Sequence, residues 1–190
     1  MRFQIGRKRL ACRQVRHPQR LAPCVYEGRV MIWRDFEAAA PELARLGRER
    51  FERTGVVLVA TVRKDGSPRI SPVEPYLVLG HLLLGMMWRS RKALDLLREP
   101  RCAVHSAVSD PNGSDGEFKL YGRALAVEDR RILEGNYQAW WKSQPPGAYH
   151  VFTVEIDSAA FISWDTEKDK MTVKRWSATL GLTEATRHYP

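Results

Sequence analysis

The sequence predicts a mainly β protein, in which six or seven antiparallel strands form a small barrel with helices packed outside it. Short apolar segments with strand character occupy most of the chain, and tight-turn residues such as Asp65-Gly66 and Gly80 join several of them. Only three segments have helical periodicity. A chain of 190 residues is long enough to bury one substantial core.

The first half of this domain is predicted to be a helix, three strands and a second helix. Apolar side chains recur at helical spacing over residues 33–53, where Pro41 is expected to divide the helix. The strands are expected at residues 56–62, 69–78 and 81–88. Pro72 and Pro75 indicate that the second strand lies at an edge or contains a bulge or a bend. The second helix follows Ser90 and ends at Pro100.

The second half is predicted to be two strands, a helix and the last two or three strands. The first two strands are expected at residues 101–108 and 117–127, on either side of a polar loop. A helix is expected over 129–143, with Glu128 or Asp129 near its cap. The segments HVFTVEI, AAFISWD and KMTVKRW supply the remaining strands.

Residues 1–30 differ in composition from the rest of the chain. They hold eight Lys and Arg residues and one acidic residue, Glu27, whereas 23 basic and 21 acidic residues remain for 31–190. We interpret residues 1–30 as a disordered basic arm or as translated sequence upstream of a true start at Met31, with a targeting peptide as the other alternative. Residues 31–190 are expected to form a single domain.

The composition also excludes several classes of function. The charge outside the basic segment is nearly balanced, which argues against a nucleic-acid partner. No apolar run is long enough to cross a membrane, and the three scattered cysteines suggest neither a zinc site nor a disulfide framework. We therefore expect a cytoplasmic protein without a bound metal. Motifs of hydrolases, nucleoside triphosphatases and Rossmann proteins are absent from the sequence.

The tripeptide Ser90-Arg91-Lys92 carries the strongest chemical signal. It stands where an apolar helix begins, and cations are unfavourable there because the free N–H groups of the first turn are partly positive. A bound phosphate would resolve this conflict, since it would accept from those N–H groups, from the hydroxyl and from both cations. Ser90 is also expected to cap the helix. Alternatively, both cations extend into water.

Arg69 is a second candidate phosphate ligand. It opens the strand that we expect to pair through the Gly80 turn with the strand LLLGMMW, which would place Arg69 near Ser90-Arg91-Lys92. Ser71 would add a second hydroxyl at the same end of the barrel. Alternatively, Arg69 lies at a solvated hairpin end.

The segment LVATVRKDGSPRISPVEPYLVLGHLLLGMMWRSRKALDLLREPRCAVHS resembles the flavin-binding split β-barrel family related to pyridoxamine 5′-phosphate oxidase. The shared pattern is a strand, a D-G turn, x-R-x-S-P-V, a glycine turn, a strand, an S-R-K helix and then D/E-P-R before another strand. The resemblance covers roughly residues 33–165 and implies a split barrel that works as a homodimer, with flavin mononucleotide (FMN) in the subunit interface.

The resemblance also implies which residues bind the cofactor. Arg91 and Lys92, with Arg69, would hold the phosphate, near Ser90. The isoalloxazine ring would lie against the backbone of Arg69, Ile70, Ser71, Pro72 and Val73. Gly85 and Met86 would lie beside the phosphate and the ribityl chain. Trp176, in the late segment Lys174-Arg175-Trp176, would reach the flavin of the partner subunit.

The family includes several activities, so the reaction stays open. Glu74 stands where the oxidase has a lysine, and a carboxylate there would repel a phosphorylated substrate, which argues against oxidation of a B6 vitamer. We expect an FMN-dependent oxidoreductase that exchanges a hydride with an unknown small molecule, without an assigned catalytic residue. The alternatives are a reductase that uses a deazaflavin, with Arg63, Lys64 and Arg89 near its acidic tail, and a non-catalytic protein that binds flavin or haem. His105 is a candidate for protonating a substrate or binding haem iron.

Overall fold

The computed structural model describes residues 31–110, 113, 115–140 and 147–188. The expectations for residues 1–30 lie outside this part of the chain. Its helices are α1 (Trp33–Ala39), α2 (Pro41–Thr54), α3 (Arg91–Arg98) and α4 (Arg130–Trp140). Its strands are β1 (Val57–Val62), β2 (Pro68–Val73), β3 (Pro75–Val78), β4 (His81–Met87), β5 (Arg101–Ser106), β6 (Glu117–Ala126), β7 (Tyr149–Asp165), β8 (Lys170–Ser177) and β9 (Gly181–His188).

The strands form one antiparallel sheet, which confirms the mainly β class with flanking helices. The order is β2-β1-β5-β6-β7-β4-β3, and β8 pairs with β7 on one side and with β9 on the other. The described residues form nine strands, where six or seven were expected. The extra strands arise because the expected strand 69–78 breaks at Glu74, before Pro75, and because β9 follows KMTVKRW.

Two segments that were predicted to be separate strands form a single strand. HVFTVEI and AAFISWD are parts of the single strand β7, which pairs along most of its length with β6. The polar residues Asp157 and Ser158 do not end the strand, because Tyr121 pairs with Ser158 and Gly122 with Ile156, which leaves Asp157 as the extra residue of a bulge in β7. A long strand therefore passes through a stretch whose composition resembles a turn.

The two predicted helix boundaries are confirmed. Pro41 occupies the first turn of α2, where its missing N–H costs no hydrogen bond, so the helix of residues 33–53 divides there. Asp129 caps α4, since its Oδ1 accepts from the backbone N–H groups of Arg131 at 2.8 Å and Ile132 at 3.3 Å. In the described part of the chain, no helix is long and apolar enough to cross a membrane.

Helices α1 and α2 pack on the sheet through an aromatic cluster. The ring of Phe36 lies 5.0 Å from that of Trp176 and 5.4 Å from that of Trp33, and all three side chains are buried. Phe51 packs edge-on against Phe118 at 5.5 Å. This cluster anchors the helices to β6 and β8, while α3 packs on β1, β6 and β4.

Candidate functional site

A basic cleft lies between the β1–β2 hairpin and α3. Its volume is about 450 Å³, and its walls carry five cationic side chains and two carboxylates. The lining residues are Arg63, Lys64, Asp65, Arg69, Arg91, Leu94, Asp95 and Arg98. The excess of positive charge is suited to a ligand with a phosphate group.

Helical and strand periodicity bring these side chains together. Arg91, Asp95 and Arg98 lie four and three residues apart on α3 and therefore share one face of the helix. Across the cleft, Arg69 of β2 is paired in register with Thr61 of β1. The helix and the hairpin thus present opposite walls.

Asp95 connects the two walls. Its Oδ2 accepts hydrogen bonds from Arg69 Nε at 2.7 Å and from Thr61 Oγ1 at 3.0 Å, and its Oδ1 lies 3.4 Å from Arg98 Nη2. The residue is only 5% exposed. Burial favours the protonated carboxyl, but the hydrogen bonds from Arg69 and Thr61 outweigh it and lower the pKa of Asp95. Asp95 is therefore a buried carboxylate held charged by its partners.

Arg91 has its charge available in the cleft. Among the described residues it makes no hydrogen bond and no ion pair, and its side chain is exposed. Arg69 uses its Nε on Asp95, while its two terminal nitrogens have no hydrogen-bond partner among the described residues. These groups supply the forked, charged donors that phosphate oxygens accept from.

Ser90 occupies the N-cap position of α3, but the prediction that its side chain caps the helix by a hydrogen bond is wrong. The side chain makes no such bond, and its Oγ is buried without a hydrogen-bond partner among the described residues. A buried hydroxyl without a partner is unfavourable. Ser90 is not among the residues that line the basic cleft, so its contact with a phosphate stays a prediction.

Lys92 takes a different position from its neighbour. Its Nζ donates to the backbone oxygen of Pro72 at 3.0 Å, at the far end of β2 from Arg69. The expected convergence of the three cations therefore holds for Arg69 and Arg91, which line one cleft, while Lys92 braces the strand predicted to lie under the flavin ring.

The hairpin through Gly80 forms only in part, and it does not bring Arg69 close to Ser90. β4 pairs with β3 only as far as Pro75, and β2 pairs with β1 across the Asp65-Gly66 turn. Arg69 reaches the start of α3 because α3 packs back onto β1. The juxtaposition of Arg69 with Arg91 was predicted, but through the wrong pairing.

The residues expected along the ring and the ribityl chain lie on β2 and β4. Ile70 is 67% exposed and Pro72 is exposed, while Ser71 is half-buried. Val73 and Met86 point into the core, so they offer a ligand little beyond their backbone atoms, as does the buried Gly85. Their contacts with a cofactor stay predictions.

Trp176 lies apart from the basic cleft. Its indole is buried against Phe36, and it also borders a second cleft of about 430 Å³ on β6–β9, with Tyr121, Arg175 and Leu180 among its other residues. A contact between Trp176 and the flavin of a partner subunit stays a prediction.

His105 is engaged at both ring nitrogens. Nδ1 lies 2.7 Å from the backbone oxygen of Ser106, and Nε2 lies 3.3 Å from Glu117, which also pairs with Lys119 at 2.6 Å. A role as an iron ligand would require the Nε2 contact to break. Over the described residues, no group of three or more His, Cys, Asp or Glu side chains is placed to hold a metal ion.

Comparison with known proteins identifies the family. The sequence profile of pyridoxamine 5′-phosphate oxidase matches residues 45–163, more than half of the chain. The chain belongs to this family. The match includes both walls of the basic cleft. No curated protein matches the sequence.

Solved structures agree on the fold. PhzG from Burkholderia lata 383, in complex with tetrahydrophenazine-1-carboxylic acid, aligns with a TM-score of 0.55 at 11% identity, over 89% of this chain and 98% of its own. A pyridoxamine 5′-phosphate oxidase-related, FMN-binding protein from Nostoc punctiforme aligns with a TM-score of 0.55 at 14% identity, over 80% and 96%. A further oxidase-related protein from Listeria innocua aligns with a TM-score of 0.52 at 18% identity, over 63% and 98%. At these identities the alignments show a shared split-barrel fold.

Sequence reasoning did not assign four residues of the cleft wall to the site, namely Asp65, Leu94, Asp95 and Arg98. It also missed Thr61, which donates a hydrogen bond to Asp95. A signal for Asp95 was present, because it lies one turn after Arg91, between the buried Ala93 and Leu96. A carboxylate at a buried helical position requires a partner. Arg69 was a reasonable candidate for the partner of Asp95, yet only the packing of α3 on β1 identifies it as that partner.

Proposed function

We propose that this chain is an FMN-dependent oxidoreductase whose basic cleft binds the phosphate of the flavin. One observation carries the proposal: Arg69 and Arg91 face the cleft from opposite walls, and their terminal guanidinium nitrogens have no hydrogen-bond partner among the described residues. Membership of the family and the fold shared with an FMN-binding protein support the choice of cofactor. A bound flavin would supply the redox chemistry, as an acceptor or donor of hydride.

The chain's own residues would bind and orient this cofactor. Arg69 and Arg91 would donate to the phosphate from opposite walls of the cleft. The exposed β2 segment that includes Ile70 and Pro72 would lie beneath the ring, and Lys92 would brace it by its bond to the Pro72 oxygen. The protein would thus supply orientation and an apolar surface, so the chemistry needs no nucleophile of its own.

Flavin titration of the full-length protein tests this assignment. We expect FMN to bind more tightly than riboflavin, which lacks the phosphate. Arg69→Ala and Arg91→Ala should each lower FMN affinity about 10- to 100-fold, because each loses a charge-assisted hydrogen bond. Riboflavin affinity should stay the same. Arg45→Ala is the matched control, since Arg45 is exposed on α2 and pairs with Glu49. Equal affinities for FMN in all variants would refute the site.

Turnover is a separate measurement. The flavin-loaded protein is mixed without oxygen with candidate reductants, and then with electron acceptors, while the flavin absorbance is followed. Bleaching and recovery at catalytic rates are expected of an oxidoreductase. A flavin that is held tightly but that none of these reagents can reduce would instead indicate a carrier.

A deazaflavin with an acidic, phosphate-linked tail is the second candidate cofactor. The position of Arg63 and Lys64 favours it, because both line the same cleft as Arg69 and Arg91 and would extend the anion site along the hairpin. Arg89 is not among the cleft residues. If this cofactor is the natural one, it should displace FMN, and the double variant Arg63→Ala/Lys64→Ala should weaken it more than FMN.

A further inference from the structure

We propose that Asp95 is a positioning residue of the basic cleft: it holds the Nε edge of Arg69 so that both terminal guanidinium nitrogens remain available to a phosphate. This inference rests on the proposed function, since it concerns the same anion. The expected effect of Asp95 on phosphate affinity is favourable, although a carboxylate in an anion site would ordinarily weaken anion binding.

The contacts of Asp95 make it suited to this role. The carboxylate accepts from Arg69 Nε at 2.7 Å and from Thr61 Oγ1 at 3.0 Å through the same oxygen, Oδ2. Thr61 is 2% exposed and lies on β1 directly beside Arg69. Two elements therefore fix the position of Asp95, and Asp95 in turn fixes the guanidinium.

The geometry of α3 also relates the position of Asp95 to that of the second cation, Arg91. Asp95 lies four residues after Arg91, so both project from the same face of α3. A bond from Asp95 to β2 therefore sets the distance between Arg69 and Arg91 across the cleft. Arginine has a long flexible side chain, and ordering it before the ligand arrives reduces the entropy lost on binding.

Asp95 has a competing interpretation, in which it only offsets the charge of nearby cations. Arg98, which lies 3.4 Å from Oδ1, is part of that charge. Under this interpretation every variant without the carboxylate binds an anion more tightly, because a repulsive charge is lost. Under the positioning interpretation the result depends on whether the new side chain can still accept from Arg69.

The test compares Asp95→Ala with Asp95→Asn in the full-length protein, with FMN and riboflavin as ligands. Asp95→Ala should weaken FMN by about tenfold or more and leave riboflavin unchanged. Asp95→Asn keeps an oxygen that accepts from Arg69 and Thr61, so it should restore the wild-type affinity or exceed it. The matched control is Asp65→Asn, which removes a carboxylate of the same cleft that hydrogen-bonds Ser67 rather than Arg69.

The double variant Arg69→Ala/Asp95→Ala isolates the pair. We expect it to bind FMN no more weakly than Arg69→Ala alone, because Asp95 acts through Arg69. A further loss in the double variant, or an unchanged or tighter affinity in Asp95→Ala, would overturn the proposal. If Asp95→Ala does not fold, Thr61→Val provides the test of positioning. A loss of FMN affinity in Thr61→Val that is absent in an Arg69→Ala background supports the role of Asp95, and an unchanged FMN affinity refutes it.

A titration with inorganic pyrophosphate tests the role of Asp95 independently of the assignment of the cofactor. The same variants are titrated with it by calorimetry, which reports on the cleft without a flavin. Failure of the wild-type protein to bind FMN would refute the proposed function, and the order of pyrophosphate affinities would still decide the role of Asp95. Equal pyrophosphate affinities in the wild-type protein and Asp95→Ala would refute that role.

Discussion

At the scale of single residues, Ser90 and Asp95 have opposite hydrogen-bonding states near the start of α3. The hydroxyl of Ser90 is buried and has no partner among the described residues, while the carboxylate of Asp95 on α3 accepts from Thr61 and Arg69 of the opposite hairpin wall. A buried polar group without a partner lowers stability, whereas hydrogen bonds stabilise a buried carboxylate in its charged form.

The pH dependence of stability should report the ionisation of Asp95. Because the folded state lowers the pKa of this carboxyl below its ordinary value of 3.8, the charged form stabilises the fold above that pH, and this contribution disappears as the pH falls through the folded-state pKa. Urea unfolding from pH 3 to 7 should show the wild-type protein more stable than Asp95→Asn near pH 6, with a narrowing difference below about pH 4. A constant difference would contradict this.

Cys102 should be chemically inert while the protein is folded. Burial raises the pKa of its thiol to about 12, so almost no thiolate forms at pH 8. In a Cys12→Ser/Cys24→Ser background, an aromatic disulfide reagent should react with Cys102 only after denaturant is added. Rapid labelling of the native protein would show that the thiol is accessible.

At the scale of elements, α2 is held against the sheet by the absence of a side chain at Gly47. A Cβ atom there would lie 2.7 Å from the ring of Phe118, which is fully buried and cannot move aside. Alanine favours a helix over glycine by about 1 kcal/mol, but overpacking a core costs about 1–3 kcal/mol. Thermal unfolding should therefore show that Gly47→Ala is destabilised.

A double variant provides the control for Gly47. Phe118→Leu should make room for the added methyl group, so Gly47→Ala should cost less in that background than in the wild-type protein. If Gly47→Ala instead raises the melting temperature, helix propensity outweighs packing at this position.

Individual elements and the two tight-turn hairpins were largely predictable from the sequence, whereas the packing of α3 on the β1–β2 hairpin was not. Pro41 and Asp129 act through local chemistry, so their effects on α2 and α4 can be predicted from neighbouring residues. β2 pairs with β1 across the Asp65-Gly66 turn, while β4 pairs with β3. Arg69 and Arg91 were predicted as phosphate ligands from local sequence, whereas Arg98 was missed and Asp95 was not assigned, since the main partners of Asp95 come from other elements.

At the scale of the whole molecule, one face of the sheet exposes several large apolar side chains. On this face of β2, β1, β5 and β6, Leu58 is 40% exposed, Ile70 67% and Tyr121 49%. Ile70 is paired in register with Ala60, Ala60 with Ala103 and Ala103 with Tyr121, so an apolar row crosses the four strands, and Leu58 lies beside it, two residues before Ala60. A continuous apolar patch of this kind is typical of a protein interface.

We propose that this face joins two copies of the chain, as the family resemblance implies. The cofactor would then lie near the interface, because β2 belongs both to this face and to the basic cleft. Light scattering should then give the full-length protein twice the 21.8 kDa mass of one chain. Leu58→Lys should yield monomers, since a buried unpaired charge would destabilise the interface. It should also weaken FMN binding, although Leu58 is not part of the basic cleft.

Leu79→Lys is the matched control for the interface, because Leu79 is an exposed leucine in the turn between β3 and β4. It should leave both the mass and the FMN affinity unchanged. A wild-type protein with the mass of one chain, or a Leu58→Lys variant that remains dimeric, would contradict the assignment of this face. Monomers of Leu58→Lys that bind FMN as tightly as the wild-type dimer would show that each subunit holds its cofactor alone.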